Sequence, residues 1–201
     1  VGKPWMYGSV IATFDFPIYK TDESIKHEQD SLLKQFQPYY TVNTTVGDEQ
    51  VKRFLHDFSQ GIPGLPKEFV GLVAQQLHHV YQTGIVSTPE YNRIYKDSTS
   101  MIRIISGKNV KSVPIGTFYS TIAAYERIFF NQQIAEQRQI LSRCNLNDYV
   151  EPNLIYDKER SETEKTDLLS SIPLASGMVM SGQKIIDRGE VITPSNYRVL
   201  T

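Results

Sequence analysis

The segment IYKTDESIKHEQDSLLKQFQP (18–38) matches the segment IYDKERSETEKTDLLSSIP (155–173), so the two ends of the chain look like copies of one another. Matched positions are separated by 137, 136 and 135 residues, and two one-residue gaps are enough to align them. In each copy an Ile-Tyr pair precedes a polar stretch, an apolar pair and a proline. We interpret each copy as a short strand, a helix and a break, and we expect the two copies to pack side by side.

The sequence between the copies is mostly helical in pattern. Tyr39–Val42 follows the proline of the first copy and is aromatic and β-branched, which predicts a second strand. Two apolar runs on either side of the turn residues 106–109 predict a β-hairpin. We therefore predict a single α+β domain in which the terminal strand-helix-strand repeats form a small mixed sheet. Its parts are a first repeat (1–46), a mainly helical insertion (47–150) with a hairpin near 101–114, and a second repeat (151–201).

The start of the helix in the second copy has two interpretations. Ser161 and Glu164 have the spacing of a capping box, which would begin the helix at that serine. The register of the repeat instead begins the helix near Lys158. In the first copy Thr21 is the expected N-cap, because two acidic residues follow it in the first turn.

Charge and composition exclude several classes of protein. The 201 residues carry a formal net charge of −1, so we expect no basic face and no nucleic acid as a partner. The single cysteine, Cys144, cannot form an internal disulfide, and we interpret it as buried or inert. No run approaches the roughly 20 apolar residues that span a bilayer, and we find no signal peptide. Because the chain ends abruptly, we expect it to be a piece of a longer protein.

The histidines do not form a convincing metal site. His56 and Asp57 form an HD dipeptide, but a two-metal phosphohydrolase site needs an upstream histidine and a downstream aspartate packed around that pair. His27 lies away from the apolar stripe of its predicted helix, so we expect a solvated helix surface around both groups. His78 and His79 are adjacent, and adjacent helical residues project about 100° apart instead of sharing one face. We therefore predict no catalytic residue and no metal ligand.

Two further features have a plain structural explanation beside a functional one. The sequon formed by residues 43–45 is a glycosylation acceptor only in a eukaryotic secretory setting. A group of aromatic residues near the N-terminus and in the second strand could line a ligand cleft. Because aromatic residues on strands are more often part of the core, we predict core positions for this group, which comprises Trp5, Tyr7, Phe14, Phe16, Tyr39 and Tyr40.

Three segments together carry a family resemblance. They are GKPW (2–5) with IATFDFPIY (11–19), PNLIYD (152–157), and GMV (177–179) with GQKIIDRGEVIT (182–193). In these segments the chain resembles the extracytoplasmic domain of the seven-transmembrane HD hydrolase family. The match involves both ends of the chain, and none of the three segments is a catalytic motif.

The resemblance implies a domain that lies between a first transmembrane helix and a bundle of further helices, tethered to the bacterial inner membrane on its periplasmic side. In that family a cytoplasmic HD domain hydrolyses cyclic di-AMP to a linear dinucleotide. The extracytoplasmic domain is expected to sense a signal and to bias that activity. No position here matches the family's metal ligands, so the resemblance implies no cofactor and no catalysis in this chain.

Two hypotheses about function follow. The first is a sensory or regulatory domain whose partners are the transmembrane bundle of the parent protein and an unidentified small-molecule or cell-envelope ligand. The alternative is an interaction module that forms a homodimer or docks a cell-envelope protein without a small-molecule ligand. The alternative predicts an exposed apolar patch and no enclosed pocket.

Overall fold

The computed structural model describes residues 1–96 and 99–200. Helices and strands are both well represented, which confirms the α+β class. The α-helices in the described ranges are α1 (Asp22–Gln35), α2 (Thr44–Asp57), α3 (Glu68–Thr83), α4 (Thr88–Lys96), α5 (Thr121–Ile128), α6 (Gln132–Glu136), α7 (Arg138–Leu141), α8 (Lys158–Ser170) and α9 (Pro194–Leu200).

The strands are short and lie in several small sheets. They are β1 (Val10–Ile11), β2 (Phe16–Tyr19), β3 (Tyr39–Val42), β4 (Ile85–Val86), β5 (Met101–Ser106), β6 (Asn109–Pro114), β7 (Tyr119–Ser120), β8 (Leu154–Tyr156), β9 (Ala175–Val179) and β10 (Lys184–Ile186). A mixed sheet has the order β6-β5-β3-β8, with β3 and β5 parallel and the other pairs antiparallel. The pairs β1-β10 and β2-β9 are antiparallel, and β4-β7 is parallel.

The two predicted repeats pair reciprocally. The strand before the helix of the first repeat, β2, pairs with the strand after the helix of the second repeat, β9. The strand after the helix of the first repeat, β3, pairs with the strand before the helix of the second repeat, β8. The repeat strands do not share the one small sheet that the sequence suggests. The β5-β6 hairpin occupies the other edge of β3, and Pro17 in β2 has no N–H to donate to a further strand.

Local sequence signals explain most element boundaries. Thr21 Oγ1 accepts a hydrogen bond from the Ser24 N–H at 3.2 Å, as expected of the N-cap of α1. Ser120 and Asn131 cap α5 and α6 in the same way. Gly84 ends α3 with φ of 105°, a backbone conformation that favours glycine.

The chain divides into two compact units, and each is described by itself. The terminal unit comprises Val1–Leu33 and Thr166–Thr201, and the central unit comprises Lys34–Lys165. The central unit holds two hydrophobic clusters. The larger one surrounds Phe54, Leu77 and Ile128 among α2, α3 and α5, and the smaller one surrounds Tyr40 and Ile102 in the mixed sheet. The division into repeats and an insertion that the sequence suggests stays a prediction.

The terminal unit is built on an antiparallel ribbon formed by the two ends of the chain. The Gly2 N–H donates to the Ile192 carbonyl at 2.8 Å, and the Ile192 N–H donates to the Lys3 carbonyl at 2.9 Å. Pro4 and Val191 form an antiparallel bridge between the Ile192–Lys3 bond and a bond of 2.8 Å that the Trp5 N–H donates to the Glu190 carbonyl. The pairing continues through β1-β10 and β2-β9. Few side chains of this unit are buried, and those in its described part are Ala12, Ile172, Val179 and Ile186.

Candidate functional site

A cleft of about 350 Å³ opens in the central unit beside the first turn of α2, and we call it the polar cleft because most of the residues that line it are polar. Such a volume lies at the small end of the range for ligand pockets, roughly 300–1,000 Å³. The end of β3, the face of α3 and the end of β5 contribute to its walls. Its polar lining consists of Thr44, Asp48, His78, Gln82, Ser106 and Asn153.

Asn153 is the buried anchor of this cleft. Its side-chain oxygen accepts a hydrogen bond from the Ile85 N–H at 2.7 Å, and its side-chain nitrogen donates to the Tyr81 carbonyl at 3.0 Å. Its main chain completes the arrangement, because the Asn43 N–H donates to the Asn153 carbonyl at 2.8 Å. One amide side chain thus fixes the end of α3, the strand β4 and the entry to β8, and this holds the cleft in shape.

Tyr81 forms a second fixed wall of the cleft. Its hydroxyl donates to the Tyr149 carbonyl at 2.7 Å and accepts from the Glu151 N–H at 2.9 Å. Burial raises the pKa of Tyr81, because the charged phenolate would lose its solvation. Gly47 in α2 faces this ring, and a Cβ there would lie 2.8 Å from Tyr81 Cβ. Glycine therefore lets α2 and α3 approach closely at the cleft.

The cleft offers a ligand both polar groups and apolar surface. Asp48 supplies a carboxylate, His78 supplies an imidazole, and the other polar side chains are hydroxyls and amides, while apolar atoms make up most of the lining surface. His78 Nε2 lies 2.9 Å from Gln82 Nε2, so these two side chains already contact each other. Hydroxyls and amides can donate and accept hydrogen bonds, so the cleft matches a small ligand with both polar and apolar parts better than it matches a bond-breaking reaction.

A second polar network lies in the mixed sheet and is structural. The Tyr40 hydroxyl donates to Glu90, whose carboxylate also binds Arg93 at 2.5 Å. The Arg93 guanidinium stacks 4.6 Å from the centre of the Tyr156 ring. Burial raises the pKa of Tyr40, and the hydrogen bond to the Glu90 carboxylate raises it further. Because each polar group has a partner, the network fixes α4 against the sheet.

The histidines discussed above lie on helix surfaces. His56 and Asp57 are exposed on α2, and Asp57 accepts a hydrogen bond from the Tyr149 hydroxyl at 2.8 Å. His27 is exposed on α1. His78 and His79 are also exposed, and only His78 lines the polar cleft. In the ranges 1–96 and 99–200 no three His, Cys, Asp or Glu side chains are grouped closely enough to hold a metal ion.

The prediction that the aromatic group belongs to the core is correct only in part. Tyr39 and Tyr40 are buried in the mixed sheet. Tyr7 and Phe14 are 71% and 65% exposed, so the prediction is wrong for these two residues. Both lie in the terminal ribbon, which has too few layers to cover them. Cys144 is half-buried and lines a separate apolar cavity, and burial raises the pKa of its thiol.

Sequence reasoning did not find Asn153 or Tyr81 as site residues. A partial signal was present in α3, where Tyr81 follows Leu77 by four residues on the apolar stripe and so places a hydroxyl in the core. Asn153 gave no comparable signal, because an asparagine before a short strand is ordinary loop sequence.

Comparisons with known proteins identify the family. No curated protein and no solved structure matches the chain. None of the helices in the described part of the chain has the length and apolar character needed to cross a bilayer. The family model 7TMR-HDED, which describes the 7TM-HD extracellular domain, matches residues 9–201. The match includes the segments that carry the resemblance except GKPW (2–5), and the chain belongs to the 7TM-HD extracellular domain family.

Proposed function

We propose that this chain is the sensory and regulatory domain of a membrane-bound phosphodiesterase whose cytoplasmic HD domain hydrolyses cyclic di-AMP. In this proposal the domain lies on the periplasmic side of the bacterial inner membrane, and transmembrane spans of the parent protein hold it there. The family membership supports the extracytoplasmic position and the presence of an HD domain in the parent. The catalytic metals belong to that HD domain, and this chain needs no cofactor.

The observation that carries the proposal is the pairing of the two ends of the chain. The segment at Lys3 and Pro4 is hydrogen-bonded to the segment at Val191 and Ile192. Two membrane spans attached to these segments would emerge side by side. A ligand that favours one arrangement of the paired segments would therefore act on the relative position of two spans, and this is the differential interaction that any switch requires.

A disulfide across the terminal pair tests this proposal. Pro4 and Val191 face each other without hydrogen bonds between them, because the bonds lie at the flanking residues. Such pairs have Cα atoms about 4.5 Å apart, within the range that a disulfide spans. In the full-length parent protein with Pro4→Cys and Val191→Cys, we expect cyclic di-AMP hydrolysis to differ about fivefold or more between the oxidised and the reduced protein.

Each single variant is the control for this experiment. Pro4→Cys alone and Val191→Cys alone share the background thiol of Cys144, and their rates should not respond to oxidation. Equal rates for the oxidised and reduced double variant, with the disulfide verified by mass spectrometry, would contradict regulation through the paired ends.

Exposed apolar side chains on the terminal unit favour a second function, the formation of a homodimer. Tyr19 in β2 and Met178 in β9 are 65% and 58% exposed. Each strand is paired on one side only, and because Pro17 weakens the outer edge of β2, the outer edge of β9 is the one open to a further strand within the described residues. We expect Tyr19→Ser with Met178→Ser to abolish dimers seen by analytical ultracentrifugation. A wild-type chain that is monomeric at all concentrations would rule out this function.

A further inference from the structure

An apolar cavity of about 450 Å³ lies in the central unit, apart from the polar cleft. It opens between the end of α2, the loop that precedes α3 and the turn that follows α7. Its lining includes Phe58, Pro63, Ile140, Arg143, Cys144 and Asn145. Most of these residues are apolar, the exposed atoms of the lining are somewhat more apolar than polar, and Arg143 brings the one formal charge among these residues.

Arg143 has no partner for its charge in the part of the chain that the structure describes. Within residues 1–96 and 99–200 no carboxylate pairs with its guanidinium and no aromatic ring stacks on it. Other arginines of the central unit do form ion pairs, since Arg138 lies 2.7 Å from Glu126 and Arg53 lies 3.9 Å from Asp57. An unpaired guanidinium on the rim of an apolar cavity is complementary to an anionic group whose remainder is apolar.

The walls of the cavity are already in place. The ring of Phe58 packs against the rings of Phe54 and Tyr149, with centroids 4.9 and 6.3 Å apart. Gly64 adopts φ of 84°, and a Cβ at this position would lie 3.8 Å from Ile140 Cδ1. The positive φ favours glycine at this position, and Gly64 lies beside Ile140 in the wall of the cavity. A preformed apolar cavity costs a ligand little reorganisation.

We propose that this cavity binds a free single-chain amphiphile with a carboxylate head group, such as a medium-chain fatty acid. The alkyl chain packs against Phe58, Pro63 and Ile140, and the carboxylate binds the Arg143 guanidinium. This inference deepens the proposed function because it names a class of ligand for the sensor. The effect of the ligand on the parent phosphodiesterase rests on the proposed function, whereas ligand binding is measured on the isolated chain.

Cys144 reports occupancy of the cavity, because it lines the cavity and is the single cysteine of the chain. The probe is sodium decanoate below its critical micelle concentration, and the readout is the rate at which N-ethylmaleimide modifies Cys144. We expect decanoate to slow the modification at least fivefold, while inorganic phosphate, which has no alkyl chain, leaves the rate unchanged. A rate that decanoate does not alter would overturn the proposal.

The charge is tested with a matched pair of arginine variants. Arg143 is exposed, so Arg143→Gln leaves the core intact. We expect this variant to weaken decanoate binding about tenfold in calorimetry, as expected for one lost charged hydrogen bond. Arg188→Gln, which removes an arginine of the terminal unit, should leave the affinity unchanged. Equal losses in both variants, or no loss in Arg143→Gln, would overturn the role of the cavity arginine.

Two further probes distinguish the class and the source of the ligand. Decanol has the same chain without the charge. We expect it to bind the wild type more weakly than decanoate does. We also expect decanol to bind Arg143→Gln as strongly as it binds the wild type. Phosphatidylglycerol vesicles offer an anionic head group on a membrane, and protection of Cys144 by vesicles without protection by decanoate would overturn the free carboxylate ligand. The disulfide experiment on the parent protein tests regulation independently, so binding and regulation can fail separately.

Discussion

The hydroxyl oxygen of Ser161 accepts a hydrogen bond from the backbone N–H of Tyr39, with 2.9 Å between the two heavy atoms. Ser161 belongs to the helix of the second repeat, and Tyr39 begins the second strand of the first repeat. Both residues are buried. The bond therefore satisfies a backbone donor that water does not reach. It also links the two repeats through residues that are 122 positions apart in the chain.

Replacing this serine tests the bond. We expect Ser161→Ala to lower the free energy of unfolding by about 1–3 kcal/mol, because the Tyr39 N–H would remain buried without an acceptor. Thr163→Ala is the control, since Thr163 is exposed in the same helix and its replacement should change stability by about 0.5 kcal/mol or less. Urea unfolding of the two variants measures the difference, and equal midpoints would show that the bond adds no stability.

The same serine shows which sequence signals were reliable. The capping-box interpretation of Ser161 and Glu164 is wrong, because α8 begins at Lys158 and Asp157 accepts the Arg160 N–H at 3.1 Å. The register of the repeat predicted that start correctly. A capping box needs its serine at the N-terminus of a helix, whereas Ser161 lies inside α8 and accepts a hydrogen bond from β3, a strand that is distant in sequence.

Local signals predicted local structure. The turn residues between the two apolar runs predicted the hairpin that β5 and β6 form, and Thr21 predicted the start of α1. The candidate site was not predictable in the same way. Asn153 bonds Ile85 and Tyr81, which lie 68 and 72 residues away, and no pattern of neighbouring residues encodes such a pair. The exposure of Phe14 was also not predictable, because it depends on how many layers the terminal ribbon has.

Removing the Asn153 side chain should be more costly than removing the Ser161 hydroxyl. Asn153→Ala leaves the Ile85 N–H and the Tyr81 carbonyl without partners in a buried place, and we expect a loss of about 2–4 kcal/mol. Asn147→Ala removes an exposed asparagine and should have little effect. Thermal unfolding followed by circular dichroism measures both variants. A small loss for Asn153→Ala would mean that water replaces the amide, and the cleft would then not depend on it.

Two helical glycines should respond to alanine with opposite signs. Gly47 and Gly71 each occupy the fourth position of their helix, in α2 and α3. A Cβ at Gly71 meets no atom within 4 Å, so Gly71→Ala should stabilise the protein by about 0.5–1 kcal/mol through helix propensity alone. A Cβ at Gly47 would lie 2.8 Å from Tyr81 Cβ, so Gly47→Ala should destabilise by about 1–3 kcal/mol. Denaturant midpoints that move in the same direction would contradict the close approach of α2 to Tyr81.

The alkaline limb of the stability curve should depend on Tyr149. Its hydroxyl donates to Asp57 Oδ2 at 2.8 Å. Burial raises the pKa of Tyr149 to about 12, the Asp57 carboxylate contributes in the same direction, and Arg53 acts against both. The unfolded chain loses this proton near pH 10, whereas the folded chain keeps it until about pH 12.

The stability that Tyr149 contributes is therefore complete below pH 10 and is lost as the pH rises towards 12. Over this window the group lowers the free energy of unfolding by about 1.4 kcal/mol per pH unit. Tyr149→Phe removes this contribution, so the decline of its stability between pH 10 and 12 should be shallower than that of the wild type. The buried hydroxyls of Tyr40 and Tyr81 have raised pKa values as well, so part of the decline persists. Tyr95→Phe, at an exposed position, should retain the wild-type slope. A slope in Tyr149→Phe that equals the wild-type slope would show that the Tyr149 hydroxyl titrates alike in the folded and unfolded chain.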